Sequence, residues 1–224
     1  MKDNKTSQPA GDYDGNIGKT MPFYDLFHEN ALGLIEVVKP DPQQWLDTGC
    51  GTGTLVTKAA ERFGQTRFSL ADPSSAMLDL AKAKLTGPAF SFCIGGTEEL
   101  SFDAESFDVI TAILSHHYYS SAEDKRRAAE NCFRMLNPGG IYVNFESFRP
   151  ASEQGFRIAI EGWRRAQVAR GKKEVDIDKY LSRCGVEFFP ALLEDNVRLL
   201  LETGFCVVEI FWMSGMQAGM YGIK

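Results

Sequence analysis

Apolar and polar residues follow a pattern along the chain that changes period from helix to strand and back. Residues 21–38 carry apolar side chains at helical spacing, and Lys39-Pro40-Asp41-Pro42 ends that pattern. Short apolar runs predict five strands, at residues 45–47, 67–71, 89–94, 107–114 and 141–146. Amphipathic segments between them predict three helices, at residues 55–62, 74–85 and 121–136. This repetition predicts a parallel sheet covered by helices on both faces.

The two ends of the chain and residues 148–190 depart from this rhythm. Residues 1–20 are polar and predict a flexible arm. Residues 148–190 are more charged and predict one or two helices around a polar loop. A helix at residues 192–203 and a strand hairpin at residues 206–223 follow. We therefore predict one domain over residues 21–224, with residues 148–190 as a helical lid that supplies substrate contacts.

Composition and charge narrow the classes of partner. Hydrophobic residues make up 44% of the chain and charged residues 24%, which is typical of globular proteins. The net charge of −6 gives no long-range attraction to phosphate and argues against nucleic acid as the main partner. The basic stretch WRRAQVARGKK is interpreted as a solvated helix face, with an acidic or nucleic-acid substrate as the alternative.

Cysteine spacing and hydropathy bear on metal, redox chemistry and location. The five cysteines are scattered and no pair has CxxC spacing, which predicts neither a zinc site nor a redox motif. No apolar run reaches membrane-spanning length, and the N-terminus lacks the apolar core of a signal peptide. These features predict a protein with reduced thiols in the cytoplasm, without a bound metal or a membrane partner.

The stretch QQWLDTGCGTGTL places Gly49, Gly51 and Gly53 directly after a short strand that ends at Asp47. Glycines at a strand-to-helix turn let a ligand approach the backbone, and the carboxyl ends of parallel strands are where such sheets bind ligands. A carboxylate before this turn would repel a pyrophosphate but suits an ammonium group. Asp72 follows the second strand, where such folds place an acid on ribose hydroxyls.

These residues carry a family resemblance. WLDTGCGTGTL is similar to the first motif, written DxGCGxG, of the class I S-adenosylmethionine-dependent methyltransferases. Later motifs of the family resemble four further segments, in order: SLADPSSAMLDLAKAK, SFDVITAILSHHYY, RMLNPGGIYVNFE and GFCVVEIFWMSGMQAGMYGIK. The match covers about residues 21–147 and 190–224. It implies an α/β, doubly wound, Rossmann-like fold with a seven-stranded, mostly parallel sheet, a C-terminal antiparallel hairpin and helices on both faces.

The resemblance also implies a cofactor, S-adenosyl-L-methionine, and a product, S-adenosyl-L-homocysteine. The predicted cofactor-binding residues are Asp47, Gly49, Cys50, Gly51, Gly53, Asp72, Pro73, Met77, Gly96, Thr97 and Leu114. The chain departs from the family at Gly96, because family members often carry there an acid that holds the adenine amino group. Adenine recognition must then come from Thr97, Glu98 or backbone groups.

The segment after the fourth strand provides the candidates for catalysis. His117 is the first candidate and His116 the second. Both are predicted to face the transferred methyl group and to act as a base if the acceptor must lose a proton. The substrate pocket is predicted to include Tyr24, Tyr118, Tyr119 and Glu146.

The sequence therefore predicts a methyltransferase that acts on a small-molecule acceptor as a monomer or homodimer. Three alternatives stay open. The chain could bind S-adenosylmethionine as a sensor, or it could make carboxy-S-adenosylmethionine, since the synthases of that compound resemble its final strands. The basic stretch leaves RNA methylation as the third.

Overall fold

A mixed sheet forms the centre of the computed structural model, which describes Thr6 and residues 9–224. Its strands are β1 (Gln44–Thr48), β2 (Arg67–Asp72), β3 (Phe90–Ile94), β4 (Phe107–Ile113), β5 (Leu136–Arg149), β6 (Ala191–Leu192), β7 (Val207–Ser214) and β8 (Gln217–Ile223). The strand order is β3-β2-β1-β4-β5-β8-β7, and β6 pairs with β5 outside this series. Strands β1 to β5 pair in parallel, while β8 is antiparallel to both β5 and β7. The predicted seven-stranded sheet and hairpin are confirmed, and β6 is an addition that the pattern did not predict.

Helices cover the sheet on both faces. They are α1 (Tyr13–Thr20), α2 (Tyr24–Val38), α3 (Thr54–Arg62), α4 (Ser75–Lys84), α5 (Ala122–Met135), α6 (Glu153–Ala169), α7 (Glu174–Leu181) and α8 (Leu193–Thr203). Neighbouring strand residues point to opposite faces, so Trp45 packs among α2 and α3 while Leu46 packs among α5 and α8. Both side chains are fully buried. The two apolar layers hold the carboxyl ends of β1, β2, β4 and β5 at one edge.

The N-terminal segment and β5 differ from the sequence prediction. The flexible arm was predicted over residues 1–20, of which residues 1–5, 7 and 8 lie outside the described residues. Within the rest, Tyr13–Thr20 forms a helix that the pattern did not indicate. Helix α2 begins at Tyr24 rather than at residue 21, because Phe23 adopts a left-handed backbone with φ 63°. Strand β5 is longer than predicted at both ends.

The segment 148–190 contains α6 and α7, in agreement with the two helices that the sequence allowed. It contacts both the N-terminal segment and the turn after β4. The Gln167 side-chain amide donates to the Thr20 carbonyl at 3.1 Å, and the Lys172 ammonium donates to the Thr20 hydroxyl at 3.0 Å. The Phe189 N–H donates to the His117 carbonyl at 2.6 Å. This segment therefore lies over the edge where the predicted site residues meet.

Candidate functional site

A cavity of about 200 Å³ opens at the carboxyl ends of β1, β2 and β4. Ten of the predicted residues line it: Gly49, Gly51, Asp72, Pro73, Met77, Gly96, Thr97, Leu114, Tyr118 and Tyr119. A smaller cavity of about 30 Å³ adjoins it, and its walls include the predicted Asp47, Cys50 and Tyr24. The two cavities share Tyr13, Gly49, Gly51 and Ile113. The structure thus brings most of the predicted cofactor residues to one continuous surface.

The glycine loop between β1 and α3 has a backbone that only glycine adopts easily. Gly49, Gly51 and Gly53 all have positive φ angles, of 65°, 55° and 76°. A Cβ on Gly49 would lie 2.8 Å from the Ser115 hydroxyl oxygen, so the turn after β4 packs directly on this loop. Gly53 lines neither cavity, and a Cβ there would lie 3.2 Å from the Ala81 methyl group. Gly53 therefore allows α4 to pack closely rather than contacting a ligand.

The Asp72 carboxylate is fixed at the end of β2. One oxygen accepts from the Gly51 N–H and the other from the Ser74 N–H, both at 2.8 Å. These bonds aim the buried carboxylate into the larger cavity, beside the loop that Gly51 belongs to. A carboxylate oxygen has more than one acceptor position, so the group can also receive a pair of ribose hydroxyls.

The Asp47 carboxylate lies in the wall of the smaller cavity, and only 2% of the residue is exposed. The Thr111 hydroxyl donates to it at 2.6 Å, and the Trp45 indole N–H donates to that hydroxyl at 2.9 Å. Burial raises the pKa of Asp47 to about 7, although the Thr111 hydrogen bond opposes this shift. A buried carboxylate whose pKa is raised in this way gains a partner when a cationic group enters the cavity.

Helix α1 forms one wall of the smaller cavity through Tyr13. The Asp14 carboxylate accepts from the Thr52 hydroxyl at 2.5 Å and pairs with the Lys84 ammonium, which fixes α1 on the glycine loop. Tyr13 faces the cavity and shares a side-chain hydrogen bond with Tyr24 of α2. The sequence did not indicate Tyr13, since a polar segment rich in glycine gives no helical signal.

His28 is a second residue that the sequence reasoning missed. It lines the smaller cavity on α2, is 1% exposed, and its Nδ1 has no hydrogen-bond partner among residues 6 and 9–224. Burial lowers its pKa to about 4, with the charge of Lys58 adding to the effect. The imidazole is therefore neutral, with one nitrogen that is free to meet a ligand.

Glu146 organises the turn after β4 and lines neither of the two cavities beside the glycine loop. Its carboxylate accepts from the His116 N–H at 2.8 Å, from the His117 N–H at 3.0 Å and from the His117 Nδ1 at 2.6 Å. Burial alone would raise the pKa of Glu146, but the His117 ring and these N–H groups outweigh it and lower the pKa. The prediction that Glu146 belongs to the substrate pocket is not supported by its position.

The two histidines that were predicted to be catalytic lie behind the cavity wall. His116 is half-buried, with its Nε2 3.0 Å from the Thr97 hydroxyl and its Nδ1 3.0 Å from the Tyr142 hydroxyl. Both histidines line a third cavity of about 20 Å³ together with Glu146 and Lys125. The structure therefore separates them from the surface formed by the glycine loop, and their catalytic role stays a prediction.

Comparison with known proteins bears on the family. Residues 46–140 match a family model described as methyltransferase domain. A carboxy-S-adenosyl-L-methionine synthase of Wolinella succinogenes is 27% identical over 205 residues, which are 89% of this chain and 84% of that protein. A ubiquinone/menaquinone biosynthesis C-methyltransferase of Vibrio parahaemolyticus is 34% identical over 116 residues, 50% of this chain and 44% of that protein. Residues 46–140 therefore form a methyltransferase domain, and the chain is similar to the S-adenosylmethionine-dependent methyltransferases.

A solved structure supports the fold of this methyltransferase. The S-adenosylmethionine-dependent methyltransferase of Leishmania major superposes on 97% of this chain, and on 79% of its own, with a TM-score of 0.68 at 18% identity. S-adenosylmethionine is the cofactor, and the lining of the cavities fits it in charge. Within the described part of the chain, the walls of the two cavities carry Asp47, Asp72, Glu98 and Glu99 but no lysine or arginine. No basic side chain in these walls would repel the ammonium or the sulfonium of the cofactor.

Two further observations complete the description of the methyltransferase. Across residue 6 and residues 9–224, no three histidine, cysteine, aspartate or glutamate side chains cluster in a way that could hold a metal ion. In the same residues, none of the helices has the length and apolar character needed to cross a membrane.

Proposed function

We propose that this methyltransferase transfers the methyl group of S-adenosylmethionine to a small-molecule acceptor. The observation that carries the proposal is the small cavity beside the glycine loop, which Tyr13, Tyr24 and His28 enclose under α1 and α2. A space of about 30 Å³ under two helices is closed to a folded macromolecule, which would have to displace both helices first.

The residues of the two cavities divide the work of binding. Asp47 and the backbone of Gly49 and Gly51 receive the ammonium end of the cofactor, and Asp72 receives the ribose. When bound, S-adenosylmethionine supplies a methyl group on a positively charged sulfur, which the lone pair of an acceptor can attack in line. The chain then has to hold the acceptor at near-attack distance and keep water out, and the closure by α1 provides both.

A base is needed only when the acceptor must lose a proton, and two histidines are candidates for it. His117 has its Nδ1 on Glu146, so Nε2 is the nitrogen that could accept a proton, but the ring lies behind the wall. His28 lines the cavity directly and is neutral. We expect His28→Ala to lower turnover and change the pH–rate profile more than His117→Ala does. The opposite ranking would restore His117 as the base.

The segment 148–190 is proposed as the lid that selects the acceptor. Its contacts with Thr20 and with the His117 carbonyl join it to the two elements that border the cavities. Replacing the segment by that of another family member should alter acceptor use while the affinity for S-adenosylhomocysteine stays the same. An equal loss of cofactor affinity would show that the segment is part of the cofactor site.

The direct test of the proposed function combines a binding and a transfer measurement. Isothermal titration with S-adenosylhomocysteine should show binding to the wild type and strongly reduced binding to Asp72→Asn. A screen of small amines, phenols, thiols and carboxylic acids with S-adenosylmethionine labelled in its methyl group should then label at least one of them. Binding without transfer to any acceptor would favour the sensor alternative.

A second candidate function is the synthesis of carboxy-S-adenosylmethionine, and the comparisons favour it. Several relatives that match more than four fifths of their length carry that name, at 23–27% identity. Such a product carries one more carboxylate than S-adenosylmethionine, and a cation is needed to hold it. The charge of Arg183, in segment 148–190, acts on the pKa of Tyr118, which lines the larger cavity, and the Arg183 guanidinium pairs with Glu187 at 2.7 Å. Mass spectrometry of the ligand that copurifies with the protein would reveal the added carboxyl group.

Ion pairs in the basic stretch and the state of the cysteines bear on the proposed partners and location. In the basic stretch, Arg164 pairs with Asp178 and Arg165 with Glu161, so these charges are not free for phosphates. This supports a small molecule rather than nucleic acid as the partner. RNA binding that stays near background and does not change with salt concentration would agree with it.

All five cysteines are free thiols, which supports a reducing compartment such as the cytoplasm. Gel filtration would decide between the proposed monomer and homodimer.

A further inference from the structure

A further cavity, of about 160 Å³, lies at the base of segment 148–190. Three parts of the chain line it: residues 148–151, where the segment begins, residues 192–194, where α8 begins, and residues 213–216, at the hairpin turn. Among the described residues, none that lines this cavity also lines either of the two cavities beside the glycine loop. The cavity therefore lies apart from the cofactor site, where both ends of the segment meet the sheet.

Most of the wall of this cavity is apolar. Phe148 is buried, Met216 is half-buried and Met213 is 61% exposed. The remaining apolar side chains are Pro150, Ala151, Leu192 and Leu193. Because an apolar cavity of about 150 Å³ can bind benzene, this space admits one ring or a branched aliphatic group of similar size. The two methionines are flexible and can adapt to the group that enters.

Two side chains of opposite charge, Arg149 and Glu194, border the same space. Arg149 of β5 pairs in register with Leu192, and Glu194 follows two residues later in the first turn of α8. The Arg149 Nη2 donates to Glu153 at 2.9 Å, but the Glu153 side chain is 72% exposed, so this ion pair contributes little. The Arg149 Nε is buried without a hydrogen-bond partner in the described part of the chain. The cavity thus offers a cation that the chain satisfies incompletely, and an exposed anion near it.

We propose that this cavity binds a free amino acid that has an apolar side chain. The Arg149 guanidinium pairs with the carboxylate of the ligand, the Glu194 carboxylate pairs with its ammonium, and the apolar walls receive its side chain. A ligand that carries only one charge leaves either Arg149 or Glu194 without a partner, and a neutral ligand leaves both. The site is separate from the cofactor cavities, so the inference goes beyond the proposed function and does not depend on it.

Four small molecules test this composition of the ligand. L-Phenylalanine carries a ring and both charges, 3-phenylpropionate lacks the ammonium, 2-phenylethylamine lacks the carboxylate, and glycine lacks the ring. Each is titrated into the protein without cofactor, and the methyl signals of isotope-labelled methionine are followed by NMR. Met213 and Met216 report on the cavity, whereas Met135 is fully buried in the core and is the internal control.

L-Phenylalanine should shift the Met213 and Met216 signals to saturation and leave the Met135 signal in place. It should bind about tenfold or more tightly than each of the other three probes, because each of them lacks one of the three contacts. Equal affinity for L-phenylalanine and 3-phenylpropionate, or the absence of a saturable shift, would overturn the inference. Failure of S-adenosylhomocysteine to bind would instead count against the proposed function alone.

Two charge variants test how the ligand is oriented. Arg149→Gln should weaken the binding of L-phenylalanine by about 10- to 100-fold and leave that of 2-phenylethylamine as in wild type. Glu194→Gln should weaken the binding of L-phenylalanine by about tenfold but not that of 3-phenylpropionate. Asp195→Asn is the matched control, because Asp195 pairs with Arg198 and does not line the cavity, so it should change none of these affinities. If both analogues respond alike to the two variants, the charges do not orient the ligand and the assignment fails.

Met213→Trp tests the cavity itself. Because Met213 is 61% exposed, a larger side chain can enter the open space without disturbing the core. This variant should lose the L-phenylalanine shift at Met216, while its affinity for S-adenosylhomocysteine stays that of wild type. Binding of L-phenylalanine that persists unchanged in Met213→Trp would place the ligand elsewhere and refute the site.

Discussion

The Asp47 carboxylate should make cofactor affinity depend on pH. Burial raises its pKa to about 7, so the free protein is only partly ionised at this site near neutrality. The ammonium of the cofactor pairs with the ionised form, and binding should weaken as the pH falls through 7. The amino group of the cofactor loses its proton at about pH 7.7–8.0, so binding should also weaken above that range.

The size of the effect follows from the two pKa values. Asp47 is about 9% ionised at pH 6 and about 76% ionised at pH 7.5 if its pKa is 7. After correction for the partial loss of the ammonium proton at pH 7.5, the affinity at pH 6 should be about sixfold weaker than at pH 7.5. Asp47→Asn should abolish this acid limb and weaken binding at pH 7.5 by about 10- to 100-fold.

Asp47→Asn should weaken cofactor binding but raise the free energy of unfolding at high pH. The folded-state pKa of Asp47 lies above the value in the unfolded chain, so the proton stabilises the fold at low pH and this contribution is lost as the pH rises through 7. The loss amounts to at most about 4 kcal/mol for a shift from about 4 to about 7. Asparagine cannot ionise, so Asp47→Asn should be more stable than wild type at pH 8 but not at pH 4.

Calorimetric titration of S-adenosylhomocysteine between pH 5.5 and 8.5, with urea unfolding at pH 4 and pH 8, measures both effects. Asp47→Asn is the matched variant, because it keeps the shape of the side chain and removes its titration. An affinity that is flat from pH 7.5 to pH 6, or a variant that is no more stable at pH 8, would refute the reasoning about burial.

Three further predictions concern the elements around the cavities. Gly49→Ala should lower the free energy of unfolding by about 2–4 kcal/mol, because it adds a left-handed strain and a clash, whereas Gly51→Ala has open space and should cost about 1 kcal/mol, as urea unfolding would show. Glu146→Gln should destabilise by about 2 kcal/mol because it weakens charge-assisted bonds to the turn after β4; a melting temperature equal to that of wild type would contradict this. Asp14→Asn should release α1 by weakening the contact with Lys84, and hydrogen exchange of residues 13–20 should then speed up while the rest of the chain is unaffected.

The sheet and the glycine loop could be predicted from the sequence because their signals are local. Buried strands appear as short apolar runs, and three glycines placed directly after a strand and Asp47 are typical of a ligand-binding turn. Helix α1 could not be predicted, because Gly15 and Gly18 are poor helix formers and a long-range contact of Asp14 fixes its position. The extended start of β5 likewise depends on a distant bond, from the Gly139 N–H to the Lys224 carbonyl.

The site was predictable in its residues but not in the direction of its side chains. His117 follows β4 as expected and Glu146 lies within β5, but the two side chains bond to each other and line a separate small cavity rather than the two beside the glycine loop. The helical period placed His28 among apolar neighbours, but no periodicity shows that its Nδ1 lacks a partner. Glu98 takes the place beside Gly96 through the geometry of one tight turn, which spacing along the chain does not encode.

Strand β8 comes after β7 in the chain but lies between β7 and β5 in the sheet. During synthesis on the ribosome, β5 therefore emerges with one side unpaired, and β7 has no neighbour until residues 217–223 follow it. A nascent chain that stops short of them carries two sticky edges at once, and these invite pairing with other chains. Closure of this sheet therefore depends on the pairing of residues 217–223 with both of their neighbouring strands.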